Sequence, residues 1–238
     1  GDARAIILTG SDRVFCAGAH LGELAATVDD DEAARIADAA RLADLYAAVL
    51  RAPIVTIAAV RGAAYGGGAG LAAACDFVIA APTATFQFSE LRLGFVPALI
   101  SVFLPRRMAP APLARMVLDP HPLDGATARA AGLVDELADD PLAVALITAE
   151  RIARRCAPGA IAVTKRLLLE TALPDLDARL AAAARLNAGQ RTTVECRAGV
   201  AHFLASRTFP DWLADECSRT VEVDAAVSSR LDTPEAGT

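Results

Sequence analysis

The sequence contains no run of lysine or arginine, no cysteine pair spaced C-x-x-C, and no apolar stretch long enough to span a membrane. Each absence excludes something. With 23 basic against 29 acidic side chains and a formal net charge of −6, the chain lacks the basic arm or patch that argues for a nucleic-acid partner. An anionic ligand would instead be met by local arginines and helix N-termini. The five cysteines (Cys16, Cys75, Cys156, Cys196 and Cys217) are odd in number and unpaired in spacing. They predict free or buried thiols in a reducing cytoplasm and no zinc site. The lack of a membrane-length run and of a charged-then-apolar leader predicts neither a membrane span nor a signal peptide. Three histidines, His20, His121 and His202, offer no evident Ser/His/Asp set.

What is present is a 238-residue chain, 54% hydrophobic and rich in alanine. That length suffices for one large domain, or for a core with a smaller lobe. Small apolar residues at this density favour close helix packing and exclude a disordered or fibrous chain.

Alternating elements predict an α/β architecture. Ala5–Thr9 reads as a short buried strand, residues 14–21 as a loop, and Glu32–Arg51 as a long helix behind the N-cap candidates Asp29, Asp30 and Asp31. Residues 54–60 and Phe77–Ala80 read as further strands, with 84–88 as a fourth. Residues 62–70 read as a glycine-dense turn, followed by a short helix over 71–75. Beyond Pro97 the pattern is helical, over 99–108, 111–118, 125–131, 141–156, 158–173, 175–187 and 193–205, with one short strand expected at Leu133-Val134.

Three segments carry chemistry. In Gly66-Gly67-Gly68-Ala69-Gly70, four of five residues are glycine between a strand and a helix. Glycine lets a ligand approach the backbone, and a helix N-terminus adds free N–H groups and a positive dipole end, which together suit an oxyanion. The competing reading is a turn that packs close for steric reasons. Gly68-x-Gly70-x-x-Ala73 also fits a relaxed dinucleotide-binding pattern, but only Leu71–Cys75 separates it from the next strand. A parallel crossover needs about a dozen residues, so the match is accidental. Glu90 lies in an apolar setting of Phe86, Phe88, Leu91, Leu93, Phe95 and Val96. Burial there would raise its pKa toward neutrality and suit it to proton transfer; otherwise it is a cap or surface carboxylate beside Arg92. Cys16-Ala17-Gly18-Ala19-His20 is weaker, and Cys16 reads as a small buried residue rather than a nucleophile.

In combination these segments resemble the enoyl-CoA hydratase/isomerase (crotonase) superfamily. Leu8-Thr9-Gly10 followed by Phe15-Cys16-Ala17-Gly18-Ala19 is similar to its "LTG…FCAGAD" stretch. Gly62…Gly66-Gly67-Gly68…Leu71…Cys75-Asp76 resembles "GxxxGGGxxLxxxCD", and Phe86…Glu90…Leu93-Gly94…Pro97 resembles "FxxxExxLGxxP". Looser similarity continues through Gly132-Leu133-Val134 and through Phe203, Arg207 and Pro210. The resemblance implies a spiral of β-β-α units with a helical C-terminal lobe that forms trimers, often paired into hexamers. The expected division is a core over 1–136, the helical lobe over 137–223 and a polar tail over 224–238. It also implies that a strand pair and a helix normally precede the point where this sequence begins.

The same resemblance implies that the amides of Ala19 and Gly67 form an oxyanion hole for an acyl-CoA thioester, with Ala17, His20, Leu21, Gly66 and Gly68 around the substrate. No metal and no separate cofactor are expected, since coenzyme A is part of the substrate. Three positions depart from the usual pattern. Gly70 stands where a hydratase has its first glutamate, His20 replaces the aspartate of "GAD", and Pro97-Ala98-Leu99-Ile100-Ser101 replaces a glycine-rich stretch. This combination resembles a bacterial branch associated with hydration of branched, glutaconyl-type enoyl-CoAs. Glu90 is then the expected acid/base of a hydratase. A double-bond isomerase, or a thioester-binding homologue with little catalysis, are the alternatives. His20 either bonds local backbone or contacts the substrate.

Overall fold

The structure is a computed structural model that describes residues 2–213; Cys217 and the expected tail over 224–238 lie outside the described residues. The chain runs β1 (Ala5–Thr9), β2 (Val14–Cys16), α1 (Leu21–Ala26), α2 (Glu32–Arg51), β3 (Val55–Val60), β4 (Ala63–Tyr65), α3 (Gly67–Ala74), β5 (Phe77–Ala80) and β6 (Thr85–Gln87). A 3-10 turn at Glu90–Leu93, α4 (Ala98–Ser101) and a second 3-10 turn at Leu104–Arg106 follow. Then come α5 (Pro110–Leu118), β7 (Leu123–Asp124), α6 (Gly125–Ala130), β8 (Glu136–Leu137), α7 (Pro141–Arg155), α8 (Pro158–Ala172), α9 (Leu176–Gln190) and α10 (Val194–Ser206).

From β1 to β6, successive strands go to alternate sheets; β7 then stays beside β6, and β8 returns to the first sheet. One parallel sheet has the order β1-β3-β5-β8, and the other, β2-β4-β6-β7, is parallel except for the β6–β7 pair. A strand of each sheet followed by a helix is the repeating β-β-α unit of the crotonase-like spiral. β3 shows why the first sheet is central. All six of its residues are buried, with Val55, Ile57 and Ala59 in one apolar cluster and Ala58 and Val60 in another. Such two-sided burial is what a near-continuous apolar strand encodes.

α2 brings the first half of the chain to the site. Asp31 caps it, its carboxylate accepting from Ala34 N at 2.7 Å, and Ala52 ends it just before Pro53. Its buried stripe, Ala39, Ala43, Tyr46, Ala47 and Leu50, has helical spacing and packs against α9, α3 and α8.

Several boundaries differ from expectation. Of residues 14–21, expected as one loop, 17–20 are a loop, while Val14–Cys16 form β2 and Leu21 starts α1. The expected turn over 62–70 contains β4, and α3 begins at Gly67 rather than at Leu71. β4 is three residues between glycines, with too little local signal. Its pairing with β2 and β6 makes it a strand. The single helix expected over 99–108 is broken into α4 and a 3-10 turn, where Pro105 lacks a helical donor. Leu133-Val134 is not a strand, and β8 lies three residues further on.

Candidate active site

Two close approaches of backbone define the site. Gly18 has φ 85°, and a Cβ there would lie 2.8 Å from the Tyr65 carbonyl oxygen and 3.0 Å from Gly67 N. A Cβ on Gly68 would collide with the Cys16 carbonyl. The loop after β2 is therefore pressed against the N-terminus of α3, with only glycine tolerated at either contact. As a result the main chain of Ala19 meets that of Gly67: the direction in which a Gly67 side chain would point ends 4.0 Å from Ala19 N. Gly66, with φ 52° and ψ −124°, makes the turn into the helix.

Both amides belong to residues that line one cleft of about 430 Å³. Among the described residues, neither donates to a turn, loop or cap carbonyl. The first bond of α3 runs from Gly70 N to Gly66 O, so Gly67 N–H is among the free donors at a helix start, where the dipole favours negative charge.

Glu90 faces the same spot. It opens the 3-10 turn that Gly94 closes at φ 65°. Its Oε1 would lie 3.4 Å from a Cβ on Gly66. Its Oε2 is buried and has no hydrogen-bond partner among the described residues. Burial among apolar neighbours, Leu93, Phe95 and Val96 in the cleft wall, pushes its pKa up to about 7. The group can thus release or accept a proton near neutral pH.

The remaining wall is mostly apolar: Leu42, Leu99 and Ile100 on one side, and Phe203, Leu204 and Phe209 from the C-terminal part on the other. Arg92 stacks on the Phe209 ring at 3.6 Å, and Trp212 Nε1 donates to Arg92 O at 3.3 Å, so the segment after α10 is held over this wall.

The model of the enoyl-CoA hydratase/isomerase family matches residues 1–213. The chain belongs to that family. A Thermus thermophilus relative is 34% identical over 206 residues, covering 86% of this chain and 81% of its own. The enoyl-CoA hydratase ACTT6 of Alternaria alternata is 34% identical over 219 residues, covering 89% and 70%. The crystal structure of an enoyl-CoA hydratase from Mycobacterium avium superposes with a TM-score of 0.76 at 27% identity, covering 88% of this chain and 79% of that one.

Within this family frame, Ala17, Ala19, His20, Leu21, Gly66, Gly67 and Glu90 all line the cleft. Gly68 does not: it is buried against the Cys16 backbone, where its lack of a side chain serves packing. His20 is the N-cap of α1, its Nδ1 accepting from Glu23 N at 3.2 Å. Leu21 is the first residue of α1 rather than part of a loop.

Sequence reasoning passed over three cleft residues. Tyr46 of α2 donates its hydroxyl to Gly67 O at 3.0 Å. Arg191 is buried, bonding Asp38 at 2.6 Å and the Oδ1 of buried Asn187 at 3.0 and 3.2 Å. Tyr46 left a signal, as the one polar side chain in a buried stripe otherwise of alanine and leucine. Arg191 and Asn187 left none, because Asp38 reaches Arg191 only through the packing of α2 on α9.

Proposed function

We propose that this family member hydrates a 2-enoyl-CoA thioester to the 3-hydroxyacyl-CoA. The observation that carries the reading is Glu90, a buried carboxyl group beside the Gly66–Gly67 turn, with the amides of Ala19 and Gly67 adjacent across the same cleft. Two N–H donors on the thioester oxygen would draw electron density from the double bond. C3 then becomes electrophilic, and the enolate formed on addition is stabilised by a few kcal/mol, about what such donors contribute. Glu90 would take a proton from water as its oxygen bonds to C3. A proton then goes to C2 as the enolate collapses. With Gly70 in place of a second carboxylate, Glu90 serves both transfers. A pKa near 7 populates both of its protonation states. The names of ACTT6 and of the Mycobacterium avium structure as enoyl-CoA hydratases support this reading. The apolar wall of Leu42, Leu99, Ile100 and Phe203 suits a hydrocarbon acyl group. Coenzyme A arrives as part of the substrate, with no separate cofactor.

Gly70 favours a second reading. One carboxylate can lift a proton from one carbon and return it two carbons away, which is isomerisation of a 3-enoyl-CoA. Incubation with crotonyl-CoA and with a 3-enoyl-CoA, followed by mass detection, separates the two. A hydratase adds the mass of one water, whereas an isomerase shifts the double bond at constant mass and is seen by the ultraviolet absorbance of the conjugated 2-enoyl thioester it forms. Glu90→Gln keeps shape and backbone donors, so it should bind thioester normally and lose roughly a hundredfold in turnover. Near-normal hydration by this variant would overturn the role of Glu90.

A further inference from the structure

We infer that Tyr46 is a positioning residue for catalysis: by donating its hydroxyl to Gly67 O at 3.0 Å, it fixes the first turn of α3 and with it the direction of the Gly67 N–H. The inference rests on the reading of Ala19 and Gly67 as thioester donors and assigns the part that holds one of them in place.

The geometry singles out Tyr46. A Cβ on Gly67 would lie 3.0 Å from its hydroxyl oxygen, and one on Gly70 would lie 3.2 Å away. The phenol is thus wedged against the glycine face of α3. Gly67, Gly68 and Gly70 give that turn little stiffness of its own, and the Gly66 conformation is one that other residues rarely adopt. A donor whose angular freedom is not limited would lose much of its value, because preorganisation is what makes an oxyanion contact stabilising. The turn therefore needs an outside brace, and α2 supplies it.

Tyr46 is itself braced. It is fully buried, and its ring packs against Phe103 with centroids 5.1 Å apart and planes at 56°. Burial, with the nearby charge of Glu90 and the Cys16 thiol adding to it, raises the phenol pKa. The hydroxyl keeps its proton across the working range and remains a donor. The hydroxyl proton is already given to Gly67 O, so the effect of Tyr46 on the reaction runs through Gly67.

The test is Tyr46→Phe, which removes one oxygen and keeps the ring. Butyryl-CoA labelled with carbon-13 at the carbonyl is a non-reacting thioester. Its carbonyl stretch, read by isotope-edited infrared difference spectroscopy, should move to lower frequency on binding wild type. The variant should show a clearly smaller shift. With crotonyl-CoA its kcat should fall about tenfold, less than the hundredfold or more typical of deleting a donor outright, while KM changes less than threefold. Leu50→Ala, a cavity one turn along the same helix, should lower thermal stability without moving the carbonyl band. That result would show that loosening α2 is not enough. A full wild-type shift in Tyr46→Phe would overturn the inference, whatever happens to kcat. So would an equal loss in Leu50→Ala. Absence of the shift in wild type itself would instead remove the thioester-donor reading, and the brace with it.

Discussion

Ile100 occupies the space into which a side chain at position 70 would project: a Cβ on Gly70 would run into Ile100 Cγ2. The missing second carboxylate is therefore not an open gap. Ile100 is buried and branched at Cβ, so it has few rotamers with which to retreat. Gly70→Glu is expected to destabilise the protein by about 1–3 kcal/mol through overpacking, and not to raise hydration. Adding Ile100→Ala should return much of that loss, because the two sites share one space. Thermal melts of the single and double variants check this. Additive losses would show that the clash is not the cause.

Glu90 should leave a signature in stability as well as in rate. Its folded pKa of about 7 lies above the unfolded 4.5. Between these values the native state holds a proton that the unfolded state has lost. Its stabilising contribution is therefore full below pH 4.5 and disappears as pH rises through 7. Melting temperatures of wild type minus Glu90→Gln should fall across that window. A flat difference from pH 4 to 8 would mean that the carboxyl is solvated.

His20 stands beside a proposed oxyanion donor, yet its Nδ1 is engaged in capping α1. Aspartate caps at least as well, so His20→Asp should preserve stability, KM and the pH–rate profile, while His20→Ala should cost up to about 1 kcal/mol. A displaced pH–rate profile in His20→Asp would instead assign the imidazole a part in the reaction.

Leu146 and Ile147 of α7, and Val163, Leu167 and Leu168 of α8, are all more than half exposed in the single chain. Burying large apolar side chains in a partner is worth about 25 cal/mol per Å², which favours association. A trimer or hexamer is the proposed state. Light scattering at micromolar concentration checks it, and a stable monomer would refute it.

Much of the fold was written locally. The six buried residues of β3, the Asp31 cap and Pro53 stop of α2, and β5 all lie where short apolar runs, capping and proline place them, because those signals act within one element. The three glycine- or glutamate-bearing motifs likewise mark the segments that meet in the cleft, since each needs a special backbone or a carboxylate. Other features are absent from any local window. β4 is a strand only because β2 and β6 pair with it, and Gly68 serves packing rather than the cleft because the Cys16 carbonyl lies against it. Leu21 begins a helix because His20 caps it. The contact of Tyr46 with Gly67 joins residues 21 apart, and that of Arg191 with Asp38 joins residues 153 apart. The sequence by itself determined which residues could do chemistry. Only the tertiary structure decided which of them face one another, because hydrogen-bond and burial energies depend on distances that chain order does not set.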